Sequence, residues 1–141
     1  MKSIVILISG RGSNMESLLR AVADGLLPVR VAAVISNRPD AKGLEIAAAQ
    51  EVETCVVDHT RFDSRESFDA AMIKTIDSYA PDLVVLAGFM RILTDDFVRR
   101  YEGRLLNIHP SLLPSFPGLH THRQALAEGV RVHGCTVHFV T

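Results

Sequence analysis

The chain has 141 residues, 48% of them hydrophobic, and a formal net charge of −1. That is enough chain for one domain with a substantial core. A near-neutral balance, with Lys and Arg scattered rather than clustered, argues against a surface built mainly for nucleic acid or anionic membrane. No apolar run reaches the roughly 18 residues that a transmembrane helix needs.

The N-terminal Met1-Lys2-Ser3-Ile4-Val5-Ile6-Leu7-Ile8 has the outline of a signal peptide, but its apolar run is short and leads straight into Ser9-Gly10-Arg11-Gly12. It reads better as a first buried strand. Cys55 and Cys135 lie far apart in strand-like segments and form no CxxC. They are expected to be buried free thiols in a reducing, cytoplasmic setting.

Strand-like and helix-like segments then alternate. Residues 3–8 form a continuous apolar run, as in a parallel strand covered on both faces. Ser9-Gly10-Arg11-Gly12-Ser13-Asn14 turns the chain into a helix with Met15, Leu18, Leu19 and Val22 on one face and Gly25 as its stop. Residues 29–35 are a second strand, followed by the polar loop Ser36-Asn37-Arg38-Pro39-Asp40. Residues 44–50 make a short Ala-rich helix and 54–57 a third strand. Asp63-Ser64-Arg65-Glu66 has the form of a capping box, with Asp63 as N-cap and Glu66 at N3. The helix it opens carries Phe68, Ala71, Met72, Thr75, Ile76 and Tyr79 at helical spacing and ends before Pro81. Residues 83–87 are a fourth strand, Thr94 caps a brief helix ending at Gly103, and 104–108 form a fifth strand. Residues 123–128 read as helical and 136–140 as a last strand.

Alternating βα units imply an α/β fold, Rossmann-like, with a mostly parallel sheet between two helical layers and right-handed crossovers. Such sheets bind ligands beyond the carboxyl ends of their strands, at a topological switch point. Three unusual loops follow strand ends: 9–14, 88–93 and 107–118. If the first and fourth strands are neighbours, all three face one crevice.

The loop Ser9-Gly10-Arg11-Gly12-Ser13-Asn14 places two glycines, a hydroxyl and an amide between a strand and a helix N-terminus, where exposed N–H groups and the helix dipole favour a phosphate. It is neither G-x-G-x-x-G nor a Walker A loop, and suits a phosphomonoester better than a dinucleotide. The alternative is a tight turn with Ser13 or Asn14 as an ordinary N-cap. Gly88-Phe89-Met90-Arg91-Ile92-Leu93 is apolar apart from Arg91. It is either core packing with Arg91 at the surface or a wall for a flat aromatic ligand.

His59, His120, His122, His133 and His138 match no standard zinc spacing, so no metal site is expected. Ser111 lacks the G-x-S-x-G elbow of a serine hydrolase. Arg65, in the first turn of its helix, is either solvated or reaches towards an anionic ligand.

The stretch from Leu105 to Gly118 begins as an apolar strand and ends in a loop stiffened by three prolines. At the junction stand Asn107 and His109. In a strand, residues two apart point to the same side. Asn107 can donate to an oxygen that gains negative charge while His109 trades a proton with the same centre. The alternative is a strand-end Asn and His satisfying local backbone groups.

Asn107-Ile108-His109-Pro110-Ser111-Leu112-Leu113-Pro114, preceded by Ala87-Gly88-Phe89-Met90-Arg91-Ile92-Leu93, resembles the folate-dependent formyltransferases. Ile8-Ser9-Gly10-Arg11-Gly12-Ser13-Asn14 and Pro117-Gly118-Leu119-His120-Thr121-His122-Arg123-Gln124-Ala125 narrow the resemblance to the phosphoribosylglycinamide formyltransferases of de novo purine synthesis. It runs along the whole chain and implies the formyltransferase fold. It also implies transfer of a formyl group from the cosubstrate 10-formyltetrahydrofolate to the amine of glycinamide ribonucleotide, with no metal, nucleic-acid or membrane partner. Gly12, Ser13 and Asn14 match the family's ribonucleotide loop. Met90, Arg91, Ile92 and Leu93 match its folate pocket, Arg65 and Asn107 match folate contacts, and Asn107 and His109 match the catalytic pair. The family's third catalytic residue, an aspartate, should follow Thr141 closely. Residues 1–141 are therefore expected to be a single formyltransferase domain without the family's C-terminal part, and weakly active or inactive alone. A formyltetrahydrofolate deformylase and a non-catalytic nucleotide-binding module are the competing classes.

Overall fold

In the computed structural model, residues 1–110 and 135–139 are described, with the backbone alone for residues 109, 110 and 135–139. The predicted alternation is realised as β1 (Lys2–Ile8), α1 (Ser13–Ala23), β2 (Val29–Ser36), α2 (Lys42–Ala49), β3 (Thr54–Val56), a 3₁₀ turn (His59–Arg61), α3 (Arg65–Ser78), β4 (Leu83–Ala87), α4 (Asp95–Arg100), β5 (Leu105–Pro110) and β6 (Cys135–Phe139). The strands form one sheet in the order β3-β2-β1-β4-β5-β6. The first five are parallel, and β6 runs antiparallel to β5.

Strand β1 is buried on both faces, which explains its unbroken apolar run. Its residues divide by pleat. Ile4, Ile6 and Ile8 pack with Met15, Leu18 and Leu19 of α1 and Ala47 of α2. Val5 and Leu7 pack with Phe68, Met72 and Ile76 of α3 and Phe97 of α4. One sheet thus supports a helical layer on each side. Strand β1 pairs with both β2 and β4, so the strand order reverses there and the loops after β1 and β4 open side by side.

Several local expectations are corrected. The N-cap of α3 is Ser64, whose hydroxyl accepts from Ser67 N–H at 3.0 Å. Asp63 lies one residue too early for that bond, and Glu66 is therefore not at N3. Asp69, three residues before Met72 and seven before Ile76, is buried with them on the inner face of α3. Helix α4 stops at Arg100 rather than Gly103, although Thr94 does cap it through Phe97 N–H. Cys55 is half-buried rather than buried. The expected helix at 123–128 and the proline-rich loop at 111–118 lie outside the described residues, as does the side chain of Cys135.

Candidate active site

The loops after β1, β2 and β4 enclose a cavity of about 500 Å³ at the carboxyl edge of the sheet. Ser9, the first residue beyond β1, is buried at 4% exposure. Its hydroxyl donates to Asn37 Oδ1 at 2.5 Å and accepts from Met90 N–H at 2.7 Å, so one side chain joins all three loops. Asn37, just past β2, is itself buried, and its amide nitrogen lies 3.0 Å from His59 Nδ1.

Gly12 is the N-cap of α1, with φ of +74° and no side-chain cap. The ordinary-cap alternative for Ser13 or Asn14 is therefore not what the chain adopts, and the first turn of α1 opens without a side-chain cap, as an anion site requires. A Cβ on Gly12 would stand 2.9 Å from Gly43 Cα, so the loop and the start of α2 touch backbone to backbone. Gly43 N–H holds the loop by donating to Gly10 O at 3.0 Å. Asn14 Nδ2 donates to Ile108 O at 3.4 Å, tying the loop to β5 beside Asn107.

The loop after β4 leaves its strand through Gly88, at φ +74°. Met90 and Ile92 are exposed at 80% and 69%, which no core-packing role explains. Arg91 folds back, its guanidinium carbon 5.5 Å from the centre of the Phe68 ring, with Nε buried and without a partner. Asp69 closes the far end of this loop by accepting from Thr94 N–H at 2.8 Å, and its Oδ1 is buried and unpartnered. The described lining of the cavity holds Arg11, Arg38, Arg91 and His59 and no carboxylate, the charge pattern of an anion site. Arg38 is also bound to Asp40 by two contacts of 3.1 Å.

Gly12, Ser13, Asn14, Met90 and Arg91 thus share the cavity wall, whereas Arg65, Ile92, Leu93 and Asn107 are not part of its described lining. Arg65 begins α3 and is exposed. Asn107 pairs with Leu86 of β4 and His138 of β6, and His109 pairs with Thr136. The side chains of His109 and His138 lie outside the description, as do His120, His122, His133 and Ser111. Among the described residues no group of three or more His, Cys, Asp or Glu is placed to hold a metal, and no helix is long and apolar enough to cross a membrane. Sequence reasoning missed Ser9, Asn37 and Asp69, and weighed His59 only as a metal ligand. The available signal was the polar loop 36–40 at the carboxyl end of a predicted strand.

The formyl transferase family pattern matches residues 2–141. The chain belongs to the formyl transferase family. It is 56% identical over 139 residues to phosphoribosylglycinamide formyltransferase of Escherichia coli (strain K12), a match covering 99% of this chain and 66% of that protein. It is 44% identical over 137 residues to the human trifunctional purine biosynthetic protein adenosine-3, covering 97% of this chain and 14% of that one. Among solved structures, phosphoribosylglycinamide formyltransferase from Coxiella burnetii superposes with a TM-score of 0.79 at 48% identity, over 99% of this chain and 66% of that one. The formyl transferase chain described here therefore spans about two thirds of its single-function relatives.

Proposed function

We propose that this formyl transferase chain, read as one domain over residues 1–141, carries the chemistry of formyl transfer from 10-formyltetrahydrofolate to the amine of glycinamide ribonucleotide. The observation that carries the reading is the bond from Asn14 to the backbone of Ile108. It joins a loop suited to a phosphomonoester to the residue between Asn107 and His109. In this reading Gly12, Ser13 and Asn14 hold the phosphate. Met90, Arg91, Ile92 and Leu93 border the folate with Arg65 and Asn107. The exposure of Met90 and Ile92 supports an apolar ligand against that loop.

The chemistry asks for such a layout. A neutral amine attacks the formyl carbon and gives a tetrahedral centre with an oxyanion and a positively charged nitrogen. Asn107 and protonated His109 stabilise the oxyanion; as the bond between the formyl carbon and the folate nitrogen breaks, His109 passes its proton to that nitrogen and takes up the extra proton of the attacking nitrogen. One oxyanion donor is worth about 10² to 10³ in rate, and a positioned acid–base group about 10² to 10⁴. The test is whether loss of formyl from the folate requires the ribonucleotide. A requirement supports the transferase; loss that ignores the ribonucleotide would make the reaction a deformylation.

A further inference from the structure

We propose that His59 is a further substrate-binding residue, its Nε2–H donating to the phosphate of the ribonucleotide. The proposal rests on the ribonucleotide reading of the cavity and adds to it a residue from the far side, outside the β1–α1 loop.

Three observations converge. First, His59 is held rigidly at the start of its 3₁₀ turn. Asp58 caps that turn by accepting from Thr60 N–H at 3.0 Å, and His59 N–H donates to Asn37 O at 3.3 Å. The ring meets Phe68 edge-on, with centroids 6.5 Å apart and planes at 88°.

Second, the hydrogen bonds around the ring leave Nε2 carrying a proton in two of its states. Met90 N–H can only donate, so Ser9 Oγ accepts from it and directs its own proton to Asn37 Oδ1. That orients the Asn37 amide with its NH₂ towards His59, 3.0 Å from Nδ1. The Asn37 main-chain oxygen lies 2.9 Å from the same Nδ1. In the neutral tautomer whose Nδ1 accepts from the amide, the proton sits on Nε2. In the charged ring Nδ1 donates to the carbonyl and Nε2 again bears a proton. Asn37 thus serves Nδ1 in both of these states, and Nε2 is a donor in each; the other neutral tautomer, with Nδ1–H on the carbonyl, leaves Nε2 bare and is the one an anionic ligand disfavours.

Third, His59 lines the cavity together with Arg11, Arg38 and the uncapped start of α1, with no carboxylate in the described lining. A donor there has an anionic ligand to meet, with no acidic side chain in the described lining to compete for it.

The experiment is calorimetric titration of the 141-residue chain with ribose 5-phosphate, for wild type, His59→Phe and His59→Gln. The amide resonance of Gly12 is followed in the same titrations. Phenylalanine keeps the packing against Phe68 and removes the donor; glutamine restores an N–H. The expected result is binding by wild type that moves Gly12, about tenfold or weaker binding by His59→Phe, and partial recovery by His59→Gln. Equal binding by His59→Phe would overturn the role of His59 and leave the phosphate reading standing. Glutamine no better than phenylalanine would assign the loss to structure and also overturn it. Absence of binding by wild type would overturn both.

Discussion

The backbone N–H of Met90 donates to the hydroxyl of Ser9 at 2.7 Å, across 81 residues of sequence. This bond fixes the spacing between the glycine loop and the loop after β4, the two loops assigned here to the two substrates. Ser9 also donates to Asn37, so its one proton is committed and both of its polar partners are themselves part of the site.

Replacing Ser9 by alanine is therefore expected to leave the Met90 N–H and the buried side-chain oxygen of Asn37 unpaired, at a cost of about 1–3 kcal/mol. Chemical denaturation of Ser9→Ala should show that loss. Titrations of the variant with ribose 5-phosphate and with the folate should both be weaker than wild type, since one bond sets both loops. Wild-type stability with unchanged binding of either ligand would remove Ser9 from the account.

Gly43 sets the floor of the glycine loop from α2. A Cβ there would stand 2.6 Å from Ile8 Cδ1, 3.2 Å from Gly12 Cα and 3.3 Å from Gly10 O. The isoleucine end can turn aside, but the two backbone neighbours belong to the loop itself. Gly43→Ala is expected to push the loop and α2 apart, costing about 1–3 kcal/mol as overpacking does, and to weaken ribose 5-phosphate binding. Gly10→Ala is the control for stability alone, because nothing lies within 4 Å of its Cβ although Gly10 lines the cavity. Thermal midpoints of the two variants should differ clearly.

Asp77 anchors α4 to α3, accepting from Arg100 Nη2 at 2.8 Å and from the buried Tyr101 hydroxyl at 2.8 Å. Burial acts to raise its carboxyl pKa, but the hydrogen bonds from Arg100 and Tyr101 and the charges of Arg100 and Arg104 outweigh it and hold the group below its ordinary value. Burial, then the bond to Asp77, pushes the Tyr101 phenol up, so it remains a donor throughout. A carboxyl depressed by folding stabilises above its unfolded pKa of about 4, and the benefit is lost as pH falls through the folded value. Asp77→Asn should thus lower stability at pH 7 by about 1 kcal/mol, given the partial exposure of the pair. Denaturation at pH 7 and pH 3 should show that gap closing in acid; a gap that is constant or grows would contradict the assignment.

Much of the fold was legible because its signals are local. The unbroken apolar run of β1 announces a strand covered twice, and β4 spans Leu83–Ala87, as its own apolar run indicates. The loops after β1 and β4 come together only if their strands are neighbours, and the structure makes them neighbours through the β1–β4 pair. What the sequence did not disclose are side-chain partnerships between distant polar residues. Nothing in the chain pairs Ser9 with Asn37 or Asn37 with His59, since a hydroxyl, an amide and an imidazole each have many satisfactory partners until the backbone brings them together. Asp69 escaped for a related reason: a lone carboxylate in a helix reads as solvated, and only the close approach of Thr94 N–H gives it reason to be buried. Ser64 displaced Asp63 as a cap because both are good caps and the chain's φ and ψ, not composition, chose between them.

The central claim is that the formyl group passes to the ribonucleotide amine through the Asn107–His109 pair. The most direct measurement uses 10-formyltetrahydrofolate labelled in its formyl carbon, with this chain joined at Thr141 to the remaining third of the Escherichia coli relative. Label is followed into the ribonucleotide and into free formate. The account predicts label on the ribonucleotide, a requirement for that substrate, and loss of most turnover in His109→Ala with ribonucleotide binding nearly intact. Label recovered as formate whether or not the ribonucleotide is present, or wild-type turnover by His109→Ala, would contradict it.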